Sequence, residues 1–176
     1  MLMCCTKRRN KTYPLLPFSQ LVFDMTRWAP WVYMFDIRWC WHGQKKELQR
    51  IESAILQVLN HHPVFNMHVD AHGYQSYQSS PATMKGQYYA IRLWTKGENV
   101  CGRFRWSRIL GDGKSIYILF ENFIRAYNGE VLPPDEYLTY LDEQSHIQRS
   151  AHYAASKAWL ETTFADVQVP VRPLMD

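Results

Sequence analysis

The stretch from Val100 to Asn128 constrains the possible fold more than any other part of the sequence. In its first part, Val100 to Ser107, mostly apolar residues at even positions alternate with Cys101, Arg103 and Arg105 at odd positions. This is the period-two pattern of a β-strand. Residues 111–113 read Gly-Asp-Gly and predict a turn. Lys114 to Asn128 then has apolar residues at helical spacing, and Gly129 is typical of a helix end. The sequence therefore predicts a strand, a tight turn and a helix in direct succession.

The other segments predict a domain in which helices pack on a sheet. Strand patterns cover Trp31 to Trp41, Val64 to Val69, Tyr74 to Gln78 and Gln87 to Thr95. Helical patterns cover Ser19 to Arg27, Lys46 to Asn60, Asp135 to Gln144 and Ser150 to Phe164. This succession predicts an α+β fold with a mixed or antiparallel sheet. We expect residues 1–12 to be a flexible basic N terminus and residues 13–176 to be one lobe.

Composition excludes several classes of protein. The 176 residues are 47% hydrophobic and 20% charged, which permits a sizeable core and excludes wholesale disorder. No run approaches the roughly 20 apolar residues that a membrane span needs, and a net charge of +4 is too small to indicate nucleic acid. The cysteines at positions 4, 5, 40 and 101 include no CxxC pair, so we expect them to be reduced. These features predict a soluble, cytoplasmic protein that binds neither membrane nor nucleic acid.

A group of histidines and a run of basic residues are two further candidates for binding sites. His61 and His62 are adjacent, with His68 and His72 downstream, but their spacing across a helix end matches no known metal pattern. We therefore expect no metal, and a favourable placement of histidines at a helix terminus explains the pair. The basic run at residues 7–11 could contact nucleic acid or an acidic carrier protein, although a solvated terminus is the commoner explanation.

Several short motifs, in this order and spacing, resemble those of one known family. Residues 106–115 read WSRILGDGKS and resemble the strand, HHxxxDG loop and helix of the condensation domains of nonribosomal peptide synthetases, which are relatives of chloramphenicol acetyltransferase. The family's other boxes are matched by LPFSQ at 16–20, VLNHHPVF at 58–65, PDEYLTY at 134–140 and AWL at 158–160. The resemblance runs from about Tyr13 to Pro173.

The resemblance implies the fold of the amino-terminal lobe of a condensation domain. It implies amide bond formation between aminoacyl or peptidyl thioesters held by carrier proteins. The cofactor is then the phosphopantetheine arm of the carrier, with none bound directly by this chain. The implied partners are a carrier protein or another synthetase subunit. A complete condensation domain has two lobes with the arm tunnel between them, and this sequence corresponds to the first.

The resemblance also assigns roles to the residues of the loop. Arg108 occupies the position of the family's catalytic histidine and Ser107 that of the first histidine. Arginine keeps its proton at biological pH, so Arg108 cannot act as a general base, although it could donate hydrogen bonds to a developing oxyanion. Asp112 and Gly113 are mainly architectural in the family: the aspartate fixes the loop and the glycine allows the tight turn.

Three side chains are candidate contacts for the carrier arm. Arg103 and Arg105, together with Arg108, are predicted to share one side of the strand, where they could receive the phosphate of the arm. Ser115, at the start of the helix, is the third candidate. The alternative for the arginines is a strand face that points into solvent.

Three functions remain open from the sequence. The first is a truncated condensation enzyme, inactive on its own because Arg108 replaces the catalytic histidine. The second is a non-catalytic module that docks a carrier protein or a subunit, and the third is a small acyltransferase with its site between subunits. Without a second lobe, the surface beside the loop should expose apolar groups, which predicts a homo-oligomer with residues near Trp106 to Lys114 close to the contact.

Overall fold

The computed structural model describes residues 11–26, 28–29, 33–42 and 45–166. The strands are β1 (Thr12–Pro14), β2 (Met34–Trp41), β3 (Met67–Val69), β4 (Tyr74–Tyr77), β5 (Tyr89–Lys96) and β6 (Asn99–Ser107). The helices are α1 (Pro17–Thr26), α2 (Leu48–His61), α3 (Gly113–Tyr127), α4 (Tyr137–Gln148) and α5 (Ala151–Thr163). The predicted α+β class is confirmed.

The strands form two antiparallel sheets of three strands each, in the orders β2-β6-β5 and β1-β4-β3. We call the first the main sheet. Both sheets are purely antiparallel. Short connections join β3 to β4 and β5 to β6, as antiparallel pairing permits. In the main sheet, β6 lies in the centre and pairs with the whole of β2 and of β5. The strand that leads into the Gly-Asp-Gly loop is therefore held from both sides.

Several predicted boundaries differ from the observed ones. Val64 to Val69 is a strand only from Met67, because Pro63 starts a 3-10 turn that runs through Asn66. Helix α1 begins at Pro17 rather than Ser19, since proline suits the first helical turn. Thr12, predicted to belong to the flexible N terminus, pairs with Ser76 in β1. The predictions for residues 1–10, 31–32 and 167–176 lie outside the described residues.

The main hydrophobic core lies between the main sheet and helices α2 and α3. Helix α2 contributes Ile51, Ile55 and Leu59, and the sheet contributes Phe104 and Trp106 from β6. Helix α3 packs on the same cluster through the apolar stripe seen in its sequence. Burial of this interface fixes the direction in which α3 leaves the loop, and so positions the loop itself.

One glycine of β6 makes room for a tryptophan in this core. Gly102 lies opposite Trp39 in the register of β2 and β6. A Cβ atom built on Gly102 would lie 2.3 Å from Cζ2 of the Trp39 indole. The indole therefore lies directly over the backbone of β6, a close approach that only glycine permits.

Cys40 and Cys101 form a disulfide, which corrects the expectation that the cysteines are reduced. The register of β2 and β6 places these residues directly opposite each other, with Cα atoms 4.1 Å apart. The bond therefore follows from strand pairing, which the spacing of the cysteines along the sequence did not reveal. Among the described residues, no helix is long and apolar enough to cross a membrane.

Substitution of Gly102 by alanine tests the packing of Trp39. We expect Gly102→Ala to lower the free energy of unfolding by about 1–3 kcal/mol, because the added methyl group forces the indole to move. Urea unfolding followed by circular dichroism measures the change. Gly113→Ala is the control, since a Cβ atom there meets nothing within 4 Å. An unchanged midpoint for Gly102→Ala would contradict the observed packing.

Candidate functional site

The Gly-Asp-Gly loop ends in a capped helix. Asp112 is the N-cap of α3, and its carboxylate accepts hydrogen bonds from the Ser115 backbone N–H at 3.0 Å and from the Ser115 hydroxyl at 2.9 Å. The Ser115 hydroxyl also lies 3.3 Å from the Asp112 backbone N–H, which completes a capping box. These bonds, the backbone one first, lower the pKa of Asp112. The carboxylate is thus committed to holding the loop.

The two glycines of the loop are constrained differently. At Gly111 a Cβ atom would lie 2.7 Å from Cζ2 of Trp106 and 2.7 Å from the Ser115 hydroxyl oxygen. Gly113 has no positive φ, and open space surrounds the position of a Cβ atom. The tight spot of the loop is therefore Gly111. This differs from the expectation that Gly113 is the residue that needs to be glycine.

A cavity of about 540 Å³ lies beside the loop. The start of α1, the end of α2, the loop, the first half of α3 and the start of α4 surround it. Its polar lining includes Ser19, His62, Arg108, Asp112, Ser115, Asp135, Tyr137, Tyr140 and Gln144. The structure therefore brings the loop together with residues from three other sequence motifs.

Arg108 and Ser107 occupy different environments. Arg108 lies at the cavity, its backbone N–H donates to the Tyr33 carbonyl at 2.8 Å, and its guanidinium lies 4.9 Å from the centre of the Phe35 ring. Ser107 is buried, and its hydroxyl oxygen accepts from the Ile109 N–H at 3.3 Å. Ser107 is therefore a structural residue of the turn, whereas Arg108 is the loop side chain available to a ligand.

The three candidate arm contacts do not come together. Ser115 lines the cavity, but Arg103 and Arg105 are absent from its lining and lie on the sheet face turned away from α2 and α3. The alternation that puts Arg103 and Arg105 on one face does not include position 108, which also lies past the end of β6 at Ser107. The prediction that Arg103, Arg105 and Arg108 form one stripe is therefore wrong.

A buried histidine network forms the floor of the site. His62 is buried, with 7% of the residue exposed. Its Nδ1 donates a short hydrogen bond to the Asp135 carboxylate, and its Nε2 accepts one from the Asn122 amide at 2.9 Å. Because a carboxylate only accepts, the two partners together fix the tautomer of the ring. His62 thus connects the end of α2, the middle of α3 and the segment before α4.

Opposing influences act on the carboxyl group of Asp135. Burial acts to raise its pKa, but hydrogen bonds from His62 and from the Tyr137 backbone N–H, 2.8 Å away, outweigh burial and lower the pKa. Asp135 is therefore ionised in the folded protein at neutral pH. Its charge is stabilised by the hydrogen bonds that it accepts.

This network was not predicted from the sequence. His61 and His62 were expected to form a pair at a helix terminus, but their rings have different partners: the His61 ring donates to the Pro133 carbonyl at 2.6 Å. The sequence does contain a sign of the role of Asn122. This polar residue lies three positions after Leu119, beside the apolar stripe of the predicted helix. A buried polar side chain there needs a hydrogen-bond partner.

Large apolar side chains surround the mouth of the cavity. Phe18, Ile118 and Tyr140 all line the cavity and are 51%, 45% and 45% exposed. They come from α1, α3 and α4, so they form a rim rather than one stripe. Exposed apolar side chains from three helices around one cavity are typical of an interaction surface.

Solved structures of condensation domains share this fold. The chain matches the cyclization-docking bidomain of the EpoB synthetase from Sorangium cellulosum with 13% identity and a TM-score of 0.72, over 93% of this chain and 41% of that one. It matches the starter condensation domain of the rhizomide synthetase RzmA with 15% identity and a TM-score of 0.65, over 87% and 48%. It matches the nonribosomal peptide synthetase FmoA3 with 15% identity and a TM-score of 0.68, over 92% and 20%.

These likenesses show the fold. The chain spans half or less of the length of the structures that it matches. No family model and no curated protein matches the sequence. The fold that the resemblance predicted, a lobe of a condensation domain, is confirmed.

Substitution of Asp135 tests the histidine network. We expect Asp135→Asn to lower the free energy of unfolding at pH 7 by about 1.5–3 kcal/mol, the usual range for a buried hydrogen bond to a charged group. Because the pKa of Asp135 is lowered on folding, its contribution is complete above the ordinary carboxyl pKa and is lost as the pH falls below that value. The difference from the wild type should therefore shrink in acid.

Urea unfolding between pH 3 and pH 7 measures this dependence. Glu143→Gln, at an exposed position of α4, removes a carboxylate outside the network and should change stability little at any pH. A constant difference between Asp135→Asn and wild type across the range would show that the carboxylate is not the stabilising group.

Proposed function

We propose that this chain is a condensation-type lobe that forms no amide bond by itself. The observation that carries the proposal is the position of Arg108, a guanidinium at the cavity where the related domains are expected to place a general base. The proposed ligand of the cavity is the phosphopantetheine arm of a carrier protein, bearing an aminoacyl or peptidyl thioester.

Amide formation requires a proton acceptor. The acceptor amine attacks the thioester carbonyl, a C–N bond forms, the C–S bond breaks and a thiolate leaves, while the amine must lose a proton. A guanidinium is already protonated and cannot take that proton. It can donate hydrogen bonds to the oxyanion of the tetrahedral intermediate. Arg108 can therefore polarise a carbonyl but cannot complete the reaction.

The histidine, the two carboxylates and Tyr137 of the described cavity lining do not replace the base. Both ring nitrogens of His62 are engaged, and the Asp112 and Asp135 carboxylates accept hydrogen bonds within the protein. Burial first, and then the charge of Asp135, raise the pKa of Tyr137, which keeps that phenol neutral. Each group is satisfied by the fold rather than directed at a ligand.

A docking function is the second candidate, and the apolar rim favours it. Phe18, Ile118 and Tyr140 offer a surface on which a carrier protein, a synthetase subunit or a second lobe could pack. A third candidate is a small acyltransferase whose base comes from a second copy of the chain. That candidate rests on the same rim and requires a homo-oligomer.

The proposal predicts that the chain alone gives no peptide product. Donor and acceptor carrier proteins, each loaded with an amino acid, are incubated with the purified chain, and dipeptide is measured by mass spectrometry against uncatalysed aminolysis. We also expect Arg108→His to give no product, since general-base catalysis contributes only about 10²–10⁴-fold and needs a positioned substrate. Product above background from the wild type would contradict the proposal.

The rim predicts self-association. We expect light scattering at micromolar concentration to show a homo-oligomer, because burial of the three rim side chains removes apolar surface from water. The double variant Phe18→Ser/Ile118→Ser should shift the mass towards the monomer. Val131→Ser/Ile147→Ser, which removes exposed apolar side chains outside the cavity lining, should not. A monomeric wild type would remove support for the intersubunit acyltransferase.

A further inference from the structure

Arginine side chains form a row across the main sheet. We call the sheet surface turned away from α2 and α3 the outer face. In the strand register, Arg38 of β2 and Arg92 of β5 both lie opposite Arg103 of the central β6. Directly paired residues of antiparallel strands point to the same face, so the three side chains stand side by side. Arg105 follows on the same face, two residues further along β6.

The outer face carries an excess of positive charge. The strand positions that point outward hold five basic residues and one acidic residue, namely Arg38, Arg92, Lys96, Arg103, Arg105 and Asp36. This excess equals the formal net charge of the whole chain, +4. The charged residues of the rest of the chain balance in number, so the outer face accounts for the net positive charge.

Asp36 compensates only part of this charge. Its carboxylate accepts a hydrogen bond from Arg103 Nε at 2.8 Å and a second, shorter one from the same guanidinium, and lies 3.8 Å from Arg38 Nε. Within the described ranges, neither Arg92 nor Arg105 has a carboxylate at ion-pair distance. Both side chains are exposed. Two guanidinium groups are thus free to bind an external anion.

The arrangement is unfavourable for the isolated sheet. Like charges directly opposite each other across paired strands destabilise a sheet. Arg38, Arg103 and Arg92 place three such charges in adjacent positions, with one carboxylate to offset them. An anionic partner would remove the repulsion, so the row is suited to binding rather than to folding.

We propose that the outer face binds an acidic α-helix of a protein partner. Residues opposite each other on antiparallel strands have Cβ atoms about 4.5–5.5 Å apart. Acidic residues spaced three or four apart on a helix lie about 5–6 Å apart. A helix laid across the strands therefore matches the spacing of the Arg38–Arg103–Arg92 row. One carboxylate would meet the free guanidinium of Arg92, and its neighbours would lie beside Arg103 and Arg38, whose charge Asp36 compensates only in part.

Two other occupants fit less well. A second copy of the chain docking through the same face would set two positive surfaces against each other. A nucleic acid presents a uniformly negative backbone, and Asp36 lies within the patch where it would repel that backbone. A protein helix can place a basic or polar side chain against Asp36 and carboxylates around it.

The site is separate from the cavity. None of the arginines of the row lines the cavity, and the row is built on the opposite side of the sheet from α3. The inference therefore does not depend on the proposed condensation chemistry. Failure of either leaves the other standing.

Two synthetic helical peptides of identical composition test the proposal. Both are alanine-rich and carry four glutamates and a fluorophore; one places the glutamates in a single i, i+3/i+4 stripe, and the other disperses them around the helix. We expect fluorescence anisotropy at low salt to show that the striped peptide binds the wild-type chain about tenfold more tightly, because its carboxylates meet the row together.

A charge-matched pair of variants locates the site. Arg92→Gln/Arg105→Gln should lose about tenfold in affinity for the striped peptide. The control is Arg149→Gln/Lys157→Gln, which removes the same number of positive charges at the C-terminal end of α4 and in α5. This variant should retain wild-type affinity. The melting temperature of Arg92→Gln/Arg105→Gln should equal or exceed that of the wild type, since the repulsion is reduced.

Several results would overturn the inference. Equal affinity of the wild type for the two peptides would show that only net charge matters. Tighter binding of a single-stranded oligothymidylate than of the striped peptide would assign the face to nucleic acid. A lower melting temperature for Arg92→Gln/Arg105→Gln would make the arginines structural. An equal loss of affinity in the two double variants would exclude a localised site.

Discussion

The hydrogen bonds of His62 hold the site together. The ring is hydrogen-bonded on one side to Asp135 and on the other to Asn122. Asp135 belongs to the segment before α4 and Asn122 to helix α3, so the ring bridges two separate segments. If the ring were absent, Asn122 in the middle of α3 and Asp135 in the segment before α4 would each lose a hydrogen bond. The cost of these losses makes the network cooperative. Together with the apolar packing of α2 against α3, these bonds hold three of the segments that line the cavity in place.

In the loop beside the cavity, the residues that fix its conformation differ from the residue that faces a ligand. Asp112 and Ser115 satisfy the start of α3, and Gly111 gives space to Trp106, so the shape of the loop is determined by contacts within the protein. Arg108 takes no part in those contacts through its guanidinium, apart from its position over the Phe35 ring. A change of residue at 108 therefore alters the charge presented to a ligand while the loop keeps its conformation.

Much of the fold could be predicted from the sequence, and the errors have physical causes. The strand, loop and helix from 99 to 127 were predictable because their apolar periodicity and capping residues act locally. Cys40 with Cys101, and His62 with Asp135, could not be paired, because those contacts depend on strand register and helix packing between distant segments. The predicted stripe of Arg103, Arg105 and Arg108 was wrong for two reasons. A period of two places residues 103 and 105 on one face and even-numbered positions on the other, and Arg108 also lies past the end of β6.

The disulfide has a consequence for the unfolded chain. Cys40 and Cys101 are 61 residues apart in sequence, and the segment between them contains α2, β3, β4 and β5. Closing a loop of that length removes conformational entropy from the unfolded state, worth about 4 kcal/mol in the chain-entropy model. A contribution of that size is a large part of the stability of a typical domain. The population of folded molecules therefore depends on the redox potential of the surroundings, even though the bond lies outside the cavity.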